Sequence, residues 1–163
     1  MPPELTSSVA AAESLGDFTR GDLIVPQLRE QDAAGIMGEL SRVLAQGSCV
    51  PDGLSFFQAA LNQEVLSDAV VPSVLVVAHA RLSGVRRLQF AFGRTPRPVV
   101  WNTKDSWPVQ LIFLLAVPAT ETTHYLQLLS SLARLGLNTG AVARLLAAPD
   151  ADAVWSVLKK IPL

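Results

Sequence analysis

The two histidines of the chain, His79 and His124, are the residues whose type and position favour chemistry. His79 ends an apolar run over residues 74–78, and Arg81 follows two residues later. Because side chains alternate along a strand, His79 and Arg81 are predicted to point to the same side. An imidazole that leaves a buried strand beside a cation is suited to handling an anion such as phosphate. A structural core histidine is the alternative that position alone leaves open.

His124 is predicted to lie at the start of a helix, where free N–H groups and the helix dipole favour anions. An exposed helix-start residue without a function is the alternative. Other chemical motifs are missing from the sequence, which contains no HExxH or CxxC spacing, no glycine-rich phosphate loop and no dinucleotide fingerprint. We therefore expect no metal and no cofactor.

Composition excludes several classes of protein. The 163 residues include 13 Lys and Arg against 14 Asp and Glu, for a net charge of −1, so a nucleic-acid binder that neutralises phosphates is not expected. No run of about 18 apolar residues exists, which predicts no membrane span. The single cysteine, Cys49, requires no oxidising compartment. A cytoplasmic protein is expected, with a mobile N-terminal tail over residues 1–15 and a single domain over residues 16–163.

The elements that position the histidines are predicted as helices, then strands, then helices. Asp32 is a candidate N-cap for a helix that ends at Gly47, and Asp52 begins a second helix. A strand over residues 109–117 is apolar on nearly every residue, which is typical of a strand buried on both faces. This order predicts an α/β layered domain. The remaining predicted elements are strands over 74–79, 88–92 and 99–101, a loop closed by Pro72, a polar turn over 102–106, and helices that begin at Thr122 or Thr123 and cover 141–147 and 151–159.

Three segments carry a resemblance to a known family: residues 98–101, the strand sequence PVQLIFLLAVP over 108–118, and HYLQLL over 124–129. From about residue 17 to residue 158 the chain resembles the enzyme IIA domain of the bacterial phosphoenolpyruvate-dependent phosphotransferase system, of the fructose, mannitol and nitrogen-regulatory type. The resemblance implies an α/β fold with a mixed central β-sheet flanked by helices on both faces.

The resemblance also implies roles for individual residues. His79 falls on the phosphoacceptor position of the family motif G-I-A-I-P-H, and His124 matches the second histidine of the site. Gln63 and Glu64 match a pair that is usually Arg-Glu in the family, and Arg81 is a further candidate to support the phosphate. The chain departs from the motif at four positions: Gln63, Ala69, Pro72 and Ala78.

The implied activity is that of a phosphohistidine phosphotransferase, which takes a phosphoryl group from the histidine phosphocarrier protein. Its recipient would be an unknown protein target or a IIB component. Because no transporter segment is attached, regulation of the nitrogen type is expected rather than direct sugar import. The alternative is a weakened or inactive IIA-like regulator that acts by binding a protein, since glutamine cannot supply the charge of arginine. Arg81, Arg86 and Arg87 are candidates to compensate. A domain without any active site is the third interpretation.

Overall fold

One mixed sheet of four strands organises the computed structural model, which describes residues 13–66, 74–101 and 108–163. The strand order is β1-β3-β4-β2, with β1 parallel to β3, β2 parallel to β4, and β3 antiparallel to β4. The strands are β1 (Ile24–Val25), β2 (Leu75–Leu82), β3 (Gln89–Val100) and β4 (Pro108–Pro118).

Helices cover both faces of this sheet. The five α-helices of the described residues are α1 (Ala33–Gln46), α2 (Gly53–Leu66), α3 (Thr123–Leu137), α4 (Thr139–Ala147) and α5 (Ala151–Lys159). Helices α1 and α2 contribute their buried residues to one hydrophobic core, and α3, α4 and α5 contribute theirs to the other. Alternate residues of β4 enter the two cores, as the period of a strand requires. The predicted fold class, a mixed sheet flanked by helices on both faces, is confirmed.

Strand β4 lies at the centre of both cores. Its residues 111–117 are fully buried, which explains why the sequence is apolar on consecutive positions rather than on alternate ones. The ring of Phe113 meets the rings of Phe90 and Phe92 edge to face, with centroid distances of 5.4 and 5.1 Å. Such aromatic pairs stabilise the sheet beyond the area they bury.

Two of the predicted helix starts are confirmed at the level of single hydrogen bonds. The Asp32 carboxylate accepts the N–H of Gly35 at 2.7 Å, and Asp52 accepts the N–H groups of Leu54 and Ser55. Helix α1 ends at Gly47, as predicted. Each carboxylate satisfies donors that a helix leaves without an internal partner at its first turn.

Two strand predictions are corrected. The segments 88–92 and 99–101 were predicted as separate strands, but β3 runs through Pro96 and Pro98 and its pairing with β4 is irregular between Arg94 and Val99. Proline has no N–H to donate to the ladder, so it interrupts the pairing without ending the extended chain. Strand β2 continues beyond His79 to Leu82.

The N-terminal boundary was predicted at residue 15. Leu15 is fully buried and begins a short 3-10 helix, and Ser14 forms a β-bridge with Pro162. Residues 13–15 are therefore packed against the C-terminal end of the chain. The polar turn at 102–106 and the loop closed by Pro72 lie outside the described residues, as do residues 1–12.

Candidate functional site

His79 lies in the second half of β2, opposite Leu115 of the parallel strand β4. Its half-buried side chain faces α3, where the imidazole meets the ring of Tyr125 at a centroid distance of 5.4 Å and an interplanar angle of 52°. Strand β2 is at the edge of the described sheet, so one flank of this histidine is not covered by a further described strand. The imidazole of His79 therefore packs against Tyr125 and remains partly accessible to solvent.

The environment of His79 favours its neutral form. Burial lowers its pKa below the ordinary value of 6.5, and the nearby Arg81 lowers it further. Within the part of the chain that the structure describes, neither ring nitrogen of His79 accepts or donates a hydrogen bond. The neutral imidazole is the form that acts as a nucleophile at neutral pH.

Arg81 contacts the same aromatic ring as His79. Its guanidinium carbon lies 5.3 Å from the centroid of Tyr125, a distance typical of a cation–π contact. Because both side chains reach Tyr125, the prediction that His79 and Arg81 share one face of the strand is confirmed. The Nη1 of Arg81 also donates to the carbonyl oxygens of Pro118 at 3.0 Å, of Ala119 at 3.2 Å, and of Glu121.

His124 lies in the first turn of α3, at the helix start where the sequence predicts it. Its Nδ1 is 3.1 Å from Oε1 of Glu121, and the side chain of His124 is 36% exposed. The other carboxylate oxygen of Glu121 accepts the N–H of Thr122 at 2.8 Å. The second histidine is therefore paired with a carboxylate, while the first is packed on an aromatic ring.

The two predicted support residues of α2, Gln63 and Glu64, have different surroundings. Glu64 accepts a hydrogen bond from the indole Nε1 of Trp101 at 3.1 Å. Burial raises the pKa of Glu64, and this hydrogen bond partly offsets the rise. Gln63 is exposed. Helix α2 packs on the face of the sheet opposite to the ring of His79, so the structure groups His79, Arg81 and His124 near one helix and leaves Glu64 against Trp101.

Of the three remaining departures from the family motif, the structure describes only the one at Ala78. Ala78 is buried on the α1 and α2 face of the sheet, with 1% of its surface exposed. Ala69 and Pro72 lie outside the described residues.

Sequence reasoning missed Glu121 and Tyr125 as parts of the site. Tyr125 lies in the HYLQLL segment that carries the family resemblance, but the contact of its ring with His79 was not predicted. Glu121 precedes His124 by three residues and lies just before the N-cap of α3, from where its carboxylate reaches the imidazole. That spacing was the signal from which the carboxylate–histidine pair could be found.

No cluster of three or more His, Cys, Asp or Glu residues suited to hold a metal ion occurs in the described part of the chain. The helices of the described ranges include none with the length and hydropathy that crossing a membrane requires.

The chain matches a family model over residues 17–161, that of the phosphoenolpyruvate-dependent sugar phosphotransferase system, EIIA 2. The protein therefore belongs to the type-2 enzyme IIA family. Among its relatives, a nitrogen regulatory protein of Bradyrhizobium diazoefficiens is 27% identical over 146 residues, which are 90% of this chain and 95% of that protein.

Solved structures agree with this assignment. The nitrogen regulatory protein IIA-Ntr from Neisseria meningitidis superposes with a TM-score of 0.79 at 26% identity, covering 88% of this chain and 97% of that one. The Escherichia coli mannitol enzyme IIA, in its complex with phosphorylated enzyme IIB, has a TM-score of 0.71 at 17% identity, covering 86% and 97%. The second likeness shows the fold alone.

Proposed function

We propose that this protein accepts a phosphoryl group on His79 from the histidine phosphocarrier protein. The observation that carries the proposal is the environment of His79, a half-buried imidazole whose pKa is lowered by burial and by Arg81. Such a ring is neutral at neutral pH, which is the form that attacks phosphorus. Membership of the enzyme IIA family supports the same assignment.

The transfer exchanges one N–P bond for another. A nitrogen of His79 attacks the phosphorus carried by the donor histidine, and the donor N–P bond breaks with its electron pair returning to the donor imidazole. Such a transfer depends on positioning and on neutralising charge over the equatorial oxygens of the phosphoryl group. Arg81 supplies a positive charge two residues from the acceptor, and His124 supplies a second imidazole at the start of a helix.

The regulatory role is proposed from the relatives. The nitrogen regulatory proteins of Bradyrhizobium diazoefficiens and Neisseria meningitidis match this chain over most of both lengths. We therefore expect a cytoplasmic protein of the nitrogen-regulatory branch. We expect its recipient to be an unknown protein target or a IIB component, and family membership supports this expectation.

The test is the intact mass of the protein after incubation with phosphoenolpyruvate, enzyme I and the phosphocarrier protein. A mass increase of one phosphoryl group that is lost in acid supports the proposal. His79→Ala is the control, and a His79→Ala protein that still gains the group at the wild-type rate contradicts the assignment of the acceptor.

A second candidate function is a IIA-like regulator with little phosphotransfer, which acts by binding a protein. The observation that favours it is the exposed, neutral side chain of Gln63 at the position where the family resemblance implies arginine. Arginine offers charge and a bidentate fork to a phosphoryl group, and an amide lacks the charge. Gln63→Arg is then expected to raise the rate of phosphorylation, by about a hundredfold if one charged donor is restored.

Gln58→Arg provides the matched control for that substitution, because Gln58 is also an exposed glutamine of α2. A rise with both variants indicates a general effect of added charge. If the wild type is poorly phosphorylated and Gln63→Arg does not raise the rate, the absence of arginine is excluded as the cause of the poor phosphorylation.

A further inference from the structure

We propose that Glu121 is a positioning residue that fixes the tautomer and the orientation of His124. The inference rests on the proposed function, because it gives His124 a task in phosphoryl transfer. Both oxygens of the Glu121 carboxylate are engaged, Oε1 with Nδ1 of His124 at 3.1 Å and Oε2 with the N–H of Thr122 at 2.8 Å. The main chain therefore orients the carboxylate, and the carboxylate orients the imidazole.

The segment that carries Glu121 is itself fixed to the strand of His79. Arg81 donates from Nη1 to the carbonyl oxygens of Pro118, Ala119 and Glu121. Glu121 is only 23% exposed, so its contact with the imidazole is partly shielded from water. A hydrogen bond to a charged partner in such a place contributes more than one on an open surface.

Tyr125 provides a second connection between the same elements. It follows His124 directly in α3, and its ring contacts both His79 and Arg81. Glu121, which pairs with His124, and Tyr125, which follows it in the chain, are thus each tied to β2. This arrangement sets the position of His124 relative to His79 without requiring the two imidazoles to touch.

The chemistry of the pair follows from what a carboxylate can do. An ionised carboxylate only accepts hydrogen bonds, so Nδ1 of His124 must carry the hydrogen and Nε2 is the nitrogen left for a ligand. When Nε2 also carries a proton, the imidazolium donates to a phosphoryl oxygen from Nε2 while Glu121 balances its charge at Nδ1. A donor oriented in this way supplies positive charge in a chain that has Gln63 where the family resemblance implies arginine.

The tautomer is measured by long-range ¹H–¹⁵N NMR on the uniformly labelled full chain at alkaline pH, where histidine side chains are neutral. His79→Ala assigns the two sets of imidazole signals. The wild type is expected to carry the hydrogen of neutral His124 on Nδ1, and Glu121→Ala is expected to shift it toward Nε2. Glu30→Ala removes an exposed carboxylate near α1 and should change nothing. A wild-type His124 with its hydrogen on Nε2, or a tautomer that is unchanged in Glu121→Ala, overturns the inference.

A kinetic test separates positioning from a structural effect. Glu121→Ala is expected to slow phosphoryl acceptance about tenfold, the scale of one charge-assisted hydrogen bond. In a His124→Ala background the same substitution should have no further effect, because Glu121 acts through His124. Equal slowing in both backgrounds overturns the proposal. Thermal unfolding shows whether each variant is folded. A wild type that accepts no phosphoryl group contradicts the proposed function. The tautomer measurement still tests the role of Glu121 in that case.

Discussion

The guanidinium of Arg81 lies over the ring of Tyr125, 5.3 Å from its centroid, and this ring also contacts the imidazole of His79. One tyrosine therefore links the candidate acceptor to the cation beside it. Arg81 also holds the segment before α3 through three carbonyl oxygens. The candidate site is thus one connected group of side chains from a strand and from the helix that packs on it.

Arg81 is expected to help keep His79 neutral. Burial is the first cause of the lowered pKa of His79 and the charge of Arg81 is the second, so Arg81→Met should raise that pKa part of the way toward 6.5. An NMR titration of the His79 ring protons measures the change. Arg86→Met, which removes an exposed arginine, is the control. An unchanged midpoint in Arg81→Met contradicts the assigned influence of Arg81.

Stability should depend on pH through His79. Because its pKa is lowered in the folded state, the unfolded chain binds a proton first as the pH falls. The free energy of unfolding should therefore decrease as the pH falls below about 6.5, the value for an unperturbed histidine, until the folded-state pKa is passed. His79→Gln should lose this part of the pH dependence. Urea unfolding of both proteins over a series of pH values tests it, and parallel curves would be evidence against it.

The core around β4 should be sensitive to truncation. Phe113 is fully buried and packs edge-on against Phe90 and Phe92, so Phe113→Ala is expected to lower the free energy of unfolding by about 3–5 kcal/mol. Denaturant unfolding gives the value. Leu126→Ala is the comparison, because Leu126 is 56% exposed and its truncation should cost less than about 0.5 kcal/mol. Similar losses in the two variants would show that β4 is not the centre of the core.

Two helix caps allow a matched comparison. The Asp32 side chain accepts the N–H of Gly35, whereas the Thr122 side chain makes no capping hydrogen bond to the described residues of α3. Asp32→Ala should therefore cost about 1 kcal/mol of unfolding free energy. Thr122→Ala should cost less than about 0.5 kcal/mol, as expected of a surface position. The same denaturant experiment measures both, and a larger loss at Thr122 would reverse the assignment.

The parts of the fold that sequence reasoning predicted are those with strong local signals. The apolar run of β4 and the capping residue Asp32 each determine their element within a few neighbouring positions, and the structure has both where they were expected. Strand β3 was divided wrongly because two prolines are a local signal for a break, while its pairing with β4 is a tertiary one. A single sequence contains the first kind of information directly and the second only weakly.

The predictions about the candidate site also succeeded where the signal was local and failed where the contact was tertiary. Alternation along β2 was enough to put His79 and Arg81 on one face. The contact between His79 and Tyr125 joins a strand to a helix 46 positions away in the chain (125 less 79), which no local pattern specifies. The hydrogen bond between Glu64 and Trp101 is a second example, because no spacing in the sequence suggested it.

The most direct measurement of the central claim is the position of the phosphoryl group on the chain. The protein is phosphorylated with phosphoenolpyruvate, enzyme I and the phosphocarrier protein, digested at neutral or alkaline pH to preserve phosphohistidine, and fragmented in the mass spectrometer. The account predicts a single modified peptide with the group on His79, in the wild type and in His124→Ala. A phosphoryl group on His124 in the wild type, or none on a folded protein with an active donor, would contradict it.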